Sequence, residues 1–260
     1  MIKSRLCFVL LYYQDSFCLS RNFKLQKVGD INWLKENYDF DKILKYIDEL
    51  IILNIDKSNS KENLYNPTFF ENLKIILKKA FLPVTIGGSL RDFDNVKKLF
   101  SSGADKVLLN KPFHTNESLI KDIVNIYGSQ SLVASIDYTG SGLENASVMI
   151  DSGGKKIDLN IKQCISKFEK LGAGELILNS IDRDGLGYGY DLETYREVNK
   201  ICSIPVIAAG GADNDIELLK GINSKIINAV STSHLFNFMG DGLIETRSLI
   251  IKKGGNLPIR

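Results

Sequence analysis

The stretch Pro83-Val84-Thr85-Ile86-Gly87-Gly88 returns nearly half a chain later as Pro205-Val206-Ile207-Ala208-Ala209-Gly210-Gly211. Each copy is a short apolar run opened by proline and closed by paired glycines, the pattern of a buried strand that ends in a tight turn. A second echo sets Ser102-Gly103-Ala104-Asp105-Lys106 against Leu171-Gly172-Ala173-Gly174-Glu175. Repetition at this long spacing describes two similar half-units. Further short runs join the first two: Leu6 to Leu11, Leu50 to Ile55, Lys106 to Leu109, Leu132 to Ile136, Leu176 to Leu178 and Ile226 to Val230. None alternates apolar with polar residues, so both faces of the sheet must be covered, as in parallel strands flanked by helices. Apolar residues three and four apart predict those helices over Asp41 to Tyr46, Pro67 to Lys79, Phe93 to Ser101, Asn116 to Tyr127, Ile161 to Leu171, Asp191 to Ile201 and Asp215 to Gly221. Seven crossovers joining eight strands, with the last strand free to meet the first, predict an α/β fold: a (β/α)8 TIM barrel of two similar half-barrels. It is expected to be one domain spanning 1–260. The longest irregular stretch, Tyr12 to Asp39, is predicted after the first strand, on the face where barrels keep their active-site loops.

Composition narrows the function. Hydrophobic residues make 44% of the 260 and charged ones 25%, which excludes a disordered chain. A net charge of +2 without a basic run gives no footprint for DNA or RNA. Leu6 to Tyr13 follows Lys3 and Arg5 somewhat as in a signal peptide, but the run is short, no small-residue cleavage site follows, and it reads as a buried strand. No run approaches the roughly 18 apolar residues of a membrane span. Cys7, Cys18, Cys164 and Cys202 form no C-x-x-C pair, so reduced, structural thiols in a cytoplasmic protein are expected.

Several residues could carry chemistry. Gly87-Gly88 and Gly210-Gly211 each end a strand before a helix, where backbone N–H groups can meet a phosphate; the alternative is that glycine merely permits the turn. A substrate phosphorylated at both ends would suit the pair. Asp137 ends the fifth strand, and Asp182-Arg183-Asp184-Gly185 follows the sixth, which suits general acid/base work on a polar substrate. The plainer reading has Asp182 and Asp184 capping a loop and pairing with Arg183. His114 and His234, the two histidines, belong to no cluster with metal-ligand spacing, and His114 reads as a cap or a solvent-facing side chain. There is no G-x-S-x-G elbow.

A longer series is specific. Arg5, Val28-Gly29-Asp30, Gly87-Gly88, Gly103-Ala104-Asp105-Lys106-Val107, Asn110, Gly128-Ser129-Gln130, Ser135-Ile136-Asp137, Leu171-Gly172-Ala173-Gly174-Glu175, Asn179-Ser180-Ile181-Asp182-Arg183-Asp184-Gly185, Gly189-Tyr190-Asp191-Leu192, and Ile204-Pro205-Val206-Ile207-Ala208 with Gly210-Gly211-Ala212 run almost from end to end. The chain in this respect resembles the cyclase subunit of imidazole glycerol phosphate synthase. The resemblance implies a barrel that takes ammonia from a glutaminase subunit docked at its bottom face and passes it up the interior. At the top, a ribulosyl aminoimidazole carboxamide nucleotide is cleaved and cyclised to imidazole glycerol phosphate and an aminoimidazole nucleotide. It implies no metal and no organic cofactor, and phosphate contacts from Gly87, Gly88, Asn110, Asp184, Gly185, Gly210 and Gly211.

The departures from that family cluster. Its chemistry resembles a two-carboxylate mechanism; the carboxylate of the fifth strand is kept as Asp137, and that of the first strand is replaced by Leu11. A family Lys falls at Leu19, an Asp at Asn54, a Gly at Ser89 and a Ser at His234, all five expected around the substrate mouth. At the other end, the ring that the resemblance makes an ammonia gate is intact as Arg5, Glu49, Lys106 and Glu175, with charges summing to zero. Asp105 and Gln130 match positions that touch the glutaminase. The pattern resembles that of divergent paralogues that accompany sugar amidotransferases in surface-polysaccharide synthesis, a resemblance that implies a barrel that docks a glutaminase and conducts ammonia with cyclase activity lost. An active cyclase with Asp15 as substitute acid is the alternative. The related phosphoribosyl isomerase barrel shares the half-barrel repeat, but the bottom ring argues against it.

Overall fold

In a computed structural model, which describes residues 3–55, 65–78 and 80–259, parallel pairing runs without a break until the last strand meets the first. In chain order the strands are β1 (Arg5–Tyr13), β2 (Ser16–Arg21), β3 (Lys24–Gly29), β4 (Glu49–Asn54), β5 (Val84–Gly87), β6 (Lys106–Leu109), β7 (Leu132–Thr139), β8 (Ser147–Ile150), β9 (Lys155–Lys156), β10 (Glu175–Ser180), β11 (Val206–Ala209) and β12 (Ala229–Thr232). β1, β4, β5, β6, β7, β10, β11 and β12 form the barrel, closed by parallel pairs that set Arg5 opposite Ala229 and Cys7 opposite Glu49. The helices are α1 (Ile31–Asn37), α2 (Phe40–Ile43), α3 (Pro67–Leu77), α4 (Phe93–Ser101), α5 (Pro112–Thr115), α6 (Glu117–Tyr127), α7 (Ile161–Lys170), α8 (Leu192–Val198), α9 (Asp215–Asn223) and α10 (Gly242–Lys252). The expected (β/α)8 barrel is what forms. The predicted end of the third helix, Lys79, lies outside the described residues.

Strand alternation divides the core. Along β1, Leu6, Phe8, Leu10 and Tyr12 face the helices, while Cys7, Val9 and Leu11 face the barrel interior with Ile51, Leu108, Val133, Ile177 and Ile207. Both layers are apolar, which is why the sequence shows no period of two. The helices start where short polar side chains can take the first free N–H groups. Asn66, Asp92, Asn116 and Asn160 each accept from the residue three positions on, and Gln163 returns the bond to Asn160 in a full capping box. α7 then buries Ile161, Cys164, Ile165 and Phe168 on one face.

The stretch expected to be irregular, Tyr12 to Asp39, is instead ordered as the end of β1, the β2–β3 hairpin and α1. Gln14 and Asp15 turn β1 into β2, and Asn22 and Phe23 turn β2 into β3, all four with φ between 47° and 60°. That is the two-residue turn usually written Asn-Gly or Gly-Gly, so sequences without glycine hide it.

Candidate functional site

The carboxyl ends of the barrel strands open into a cavity of about 840 Å³. Asp137 is on its wall, at the position expected. Asn110 donates Nδ2 to Asp137 Oδ2 at 2.7 Å, and the Ser135 hydroxyl is 3.3 Å from the other carboxylate oxygen. Removal from water pushes the carboxyl up to about 7; hydrogen bonds from Ser135, Asn110 and Asn179 oppose that rise, and the nearby Asp184 adds to it. A carboxyl so placed exchanges a proton near neutrality. Across the mouth, the wall is apolar, with Leu11, Leu19, Leu25, Leu53 and Ile55 lining the same cavity. Leu11, 7% exposed, pairs in register with Leu53 and Cys18, so no polar group of β1 replaces the missing acid.

Of the other departures, Leu19, Ser89 and His234 also line the cavity. Asn54 does not: it pairs with Tyr12 on the outer face of β4, and its expected place at the mouth is corrected. Asp15 is exposed at the β1–β2 turn, where Tyr12 donates to it at 2.8 Å. Because Tyr12 faces the helices, Asp15 is carried to the outside of the barrel. Burial lowers the pKa of His234 from its ordinary 6.5, and its Nδ1 accepts from the Asn237 N–H at 3.2 Å, so the ring is a neutral donor through Nε2.

The loop carboxylates have partners other than the adjacent Arg183. Asp182 accepts from the Gly140 N–H at 2.7 Å. Asp184 accepts from the Ser20 hydroxyl at 2.5 Å and from the Phe23 N–H at 3.0 Å, and the Asn22 amide reaches the Ile181 carbonyl at 3.0 Å. The β2–β3 hairpin is thereby latched across the mouth onto the loop after β10. At Gly185, with φ of 68°, a Cβ would stand 2.0 Å from the Ser20 carbonyl, so only glycine allows that approach. Arg183 itself donates to the carbonyls of Tyr188 and Gly189.

Gly88, Gly210 and Gly211 line the cavity together with Asn110, Asp184 and Gly185. The glycine turns have a steric reason of their own: a Cβ on Gly87 would lie 2.4 Å from the Leu108 carbonyl and one on Gly210 2.4 Å from that of Ser180. Asp92 and Asn214 cap the helices that follow.

At the opposite end the four charged residues close into a ring. Arg5 donates to Glu49 at 2.5 Å and also to Glu175, and Lys106 reaches Glu49 at 3.0 Å and Glu175 at 2.7 Å. The Thr85 hydroxyl donates to Glu49 at 2.5 Å. Burial works against the charges of Arg5 and Lys106, but the two glutamates outweigh it and hold both cations above their ordinary pKa. Asp105 and Gln130 are exposed at the same end, Asp105 accepting from the Val84 N–H and Gln130 donating to the Tyr127 carbonyl.

A family model described as "Histidine biosynthesis protein" matches residues 31–239. A protein of Parasynechococcus marenigrum, provisionally named imidazole glycerol phosphate synthase subunit hisF2, is 42% identical over 243 residues, which cover 94% of this chain and 88% of its own. The chain belongs to the HisF family. The imidazole glycerol phosphate synthase subunit HisF of Dictyoglomus turgidum is 32% identical over 227 residues, 87% of this chain and 86% of its own. A Vibrio vulnificus protein, again provisionally named as subunit hisF2, is 32% identical over 203 residues, 78% and 72% of the two chains. Within this HisF-like barrel four residues contribute that the sequence reading gave no site role. Asn179 faces Asp137 from β10, Ser20 and Phe23 bind Asp184 from a hairpin not foreseen, and Thr85 completes the lower ring. Asn179, which follows a predicted strand, and Thr85, inside one, carried a sequence signal; Ser20 and Phe23 carried none. His114 neither caps nor faces solvent: both ring nitrogens are buried without a hydrogen-bond partner, and the ring packs edge-on to Phe168.

Among the described residues no group of three His, Cys, Asp or Glu side chains is placed to hold a metal, and no helix is long and apolar enough to cross a membrane.

Proposed function

We propose that this HisF-like barrel docks a glutaminase on the face that carries the ring of Arg5, Glu49, Lys106 and Glu175, and conducts its ammonia to the opposite mouth. We further propose that cyclase activity has been lost. The observation carrying this reading is the contrast between the two ends: a closed four-residue charged ring below, and above it a mouth in which Asp137 faces Leu11 rather than a second carboxylate. Leucine neither gives nor takes a proton, and loss of a general acid or base costs roughly 10²- to 10⁴-fold in rate. The apolar layer of Val9, Ile51, Val133 and Ile207 between ring and mouth suits a small neutral molecule and offers little to an ion. Asp105 and Gln130 extend the proposed interface. The ammonia then serves amidation of a nucleotide-linked sugar in surface-polysaccharide synthesis, with a sugar amidotransferase as a further partner. Gly88, Asn110, Gly185, Gly210 and Gly211 remain to hold a phosphorylated small molecule.

The test is to mix the purified barrel with candidate glutaminases and to follow glutamine hydrolysis. Stoichiometric binding and faster hydrolysis are expected, both weakened by Gln130→Ala and Asp105→Ala. A barrel that neither binds nor activates any glutaminase contradicts the reading.

A further inference from the structure

Two amide oxygens at the mouth have no donor. Asn110 gives its Nδ2 to Asp137, Asn179 lies within hydrogen-bonding reach of the same carboxyl, and the Oδ1 atoms of both are left buried and unpartnered. Leaving such an oxygen unsatisfied costs about 1–3 kcal/mol, so two of them flanking one carboxyl call for a ligand. Their positions are built by the sheet. Asn179 stands directly opposite Asp137 in the β7–β10 register, Asn110 follows β6 on the other side of β7, and all three line the cavity. The Ser135 hydroxyl, which lines the same cavity, is already directed at Asp137. Lys111, the lysine at this mouth, is paired with Asp151 at 2.7 Å.

What this corner lacks is a donor that brings no acceptor of its own. Ammonium fits: it has four N–H groups and no lone pair, and its charge matches the carboxylate. Water also satisfies the oxygens, but it adds lone pairs to a corner already rich in acceptors.

We infer that Asn110, Asp137 and Asn179 form a cradle for ammonium at the upper end of the barrel. The inference rests on the conduit reading for the source of that nitrogen. In the step it describes, ammonia leaves the apolar interior and its lone pair takes the Asp137 proton; an N–H bond forms, the O–H bond breaks, and the electron pair stays on the carboxylate. The raised pKa of Asp137 keeps that proton available near neutral pH. Asp184 is the charged neighbour that also favours the protonated form. The cradle then holds nitrogen as ammonium; on release the N–H bond breaks, the proton returns to the Asp137 carboxylate, and ammonia leaves with its lone pair free for an acceptor at the mouth.

The experiment uses the whole barrel alone, labelled with ¹³C at aspartate carboxyls, with the Asp137 resonance assigned by its loss in Asp137→Asn. Its titration is followed in sodium, potassium, ammonium and methylammonium chlorides at equal ionic strength. Ammonium is expected to lower the midpoint by about one pH unit, as an adjacent opposite charge does, with sodium and potassium without effect. Equal midpoints in all salts overturn the cradle; an equal drop in potassium overturns it in favour of a cation site selected by size; an equal drop in methylammonium overturns it in favour of a site for the amine end of a larger molecule. Asn179→Leu and Asn110→Leu should each abolish the ammonium effect in protein whose circular dichroism is unchanged. If either fails to fold, line broadening of ¹⁵N-ammonium by the wild type, reduced in Asn179→Ser, supports the cradle, and its absence overturns the proposal. A barrel that shows the ammonium effect but docks no glutaminase keeps the cradle and loses the conduit; one that docks without the effect does the reverse.

Discussion

Asp137 and His114 are both deprived of water, and the consequences have opposite signs. Asp137 keeps its proton up to about 7 in the folded protein against an ordinary 3.8, so the native state binds more protons than the unfolded state across that window. Stability should therefore fall as pH rises from about 4 to 7. Asp137→Asn is expected to be the more stable protein at pH 8, by on the order of 2 to 4 kcal/mol, and to match the wild type near pH 4; urea midpoints at the two pH values decide it. His114 is held neutral down to about 4 because burial, aided by Lys167, disfavours its charge. Below 6.5 the unfolded chain gains a proton that the native state refuses, so stability falls as pH drops from 6.5 toward 4. His114→Phe should flatten that acid limb, and an unchanged slope would place the acid sensitivity elsewhere.

Two elements distinguish this barrel's ends, and they differ in how readable they were. The lower ring was legible only through the family resemblance, which set Arg5, Glu49, Lys106 and Glu175 at matching positions; the structure shows that each starts a strand, where the barrel brings them together. Glu49 is fully buried and takes bonds from Arg5, Lys106 and Thr85, so Glu49→Ala leaves Arg5 and Lys106 to share Glu175 alone, one positive charge in excess, and should cost about 3–5 kcal/mol in guanidinium unfolding. The β2–β3 hairpin was not legible. Its turns are Gln14-Asp15 and Asn22-Phe23, which give no glycine signal, and its latch joins residues far apart in sequence. Asp184→Ala should release the latch: amide exchange over 16–29 is expected to quicken while β7 and β10 stay protected. Equal protection of the hairpin in the variant would show that strand pairing alone holds it.

For the whole molecule, eight buried runs, two half-barrel echoes and the seven helices between them sufficed for the architecture, since parallel strands covered on both faces leave few alternatives. α10, which completes the helical ring, was missed; its anchor is Arg247, buried and paired with Asp48 at 2.9 Å, a long-range contact that no local pattern announces. Leu11 at the mouth was readable only against the HisF family, and the structure shows it on an apolar wall with Leu19, Leu25, Leu53 and Ile55. The central claim is that this change ended the cyclase reaction while leaving the conduit. The most direct measurement mixes the purified barrel with the ribulosyl aminoimidazole carboxamide nucleotide and saturating ammonium salt, so that no glutaminase is needed, and follows loss of that substrate. No turnover by correctly folded protein is predicted; turnover at ordinary enzymatic rates, about 1 per second or faster, would contradict the claim.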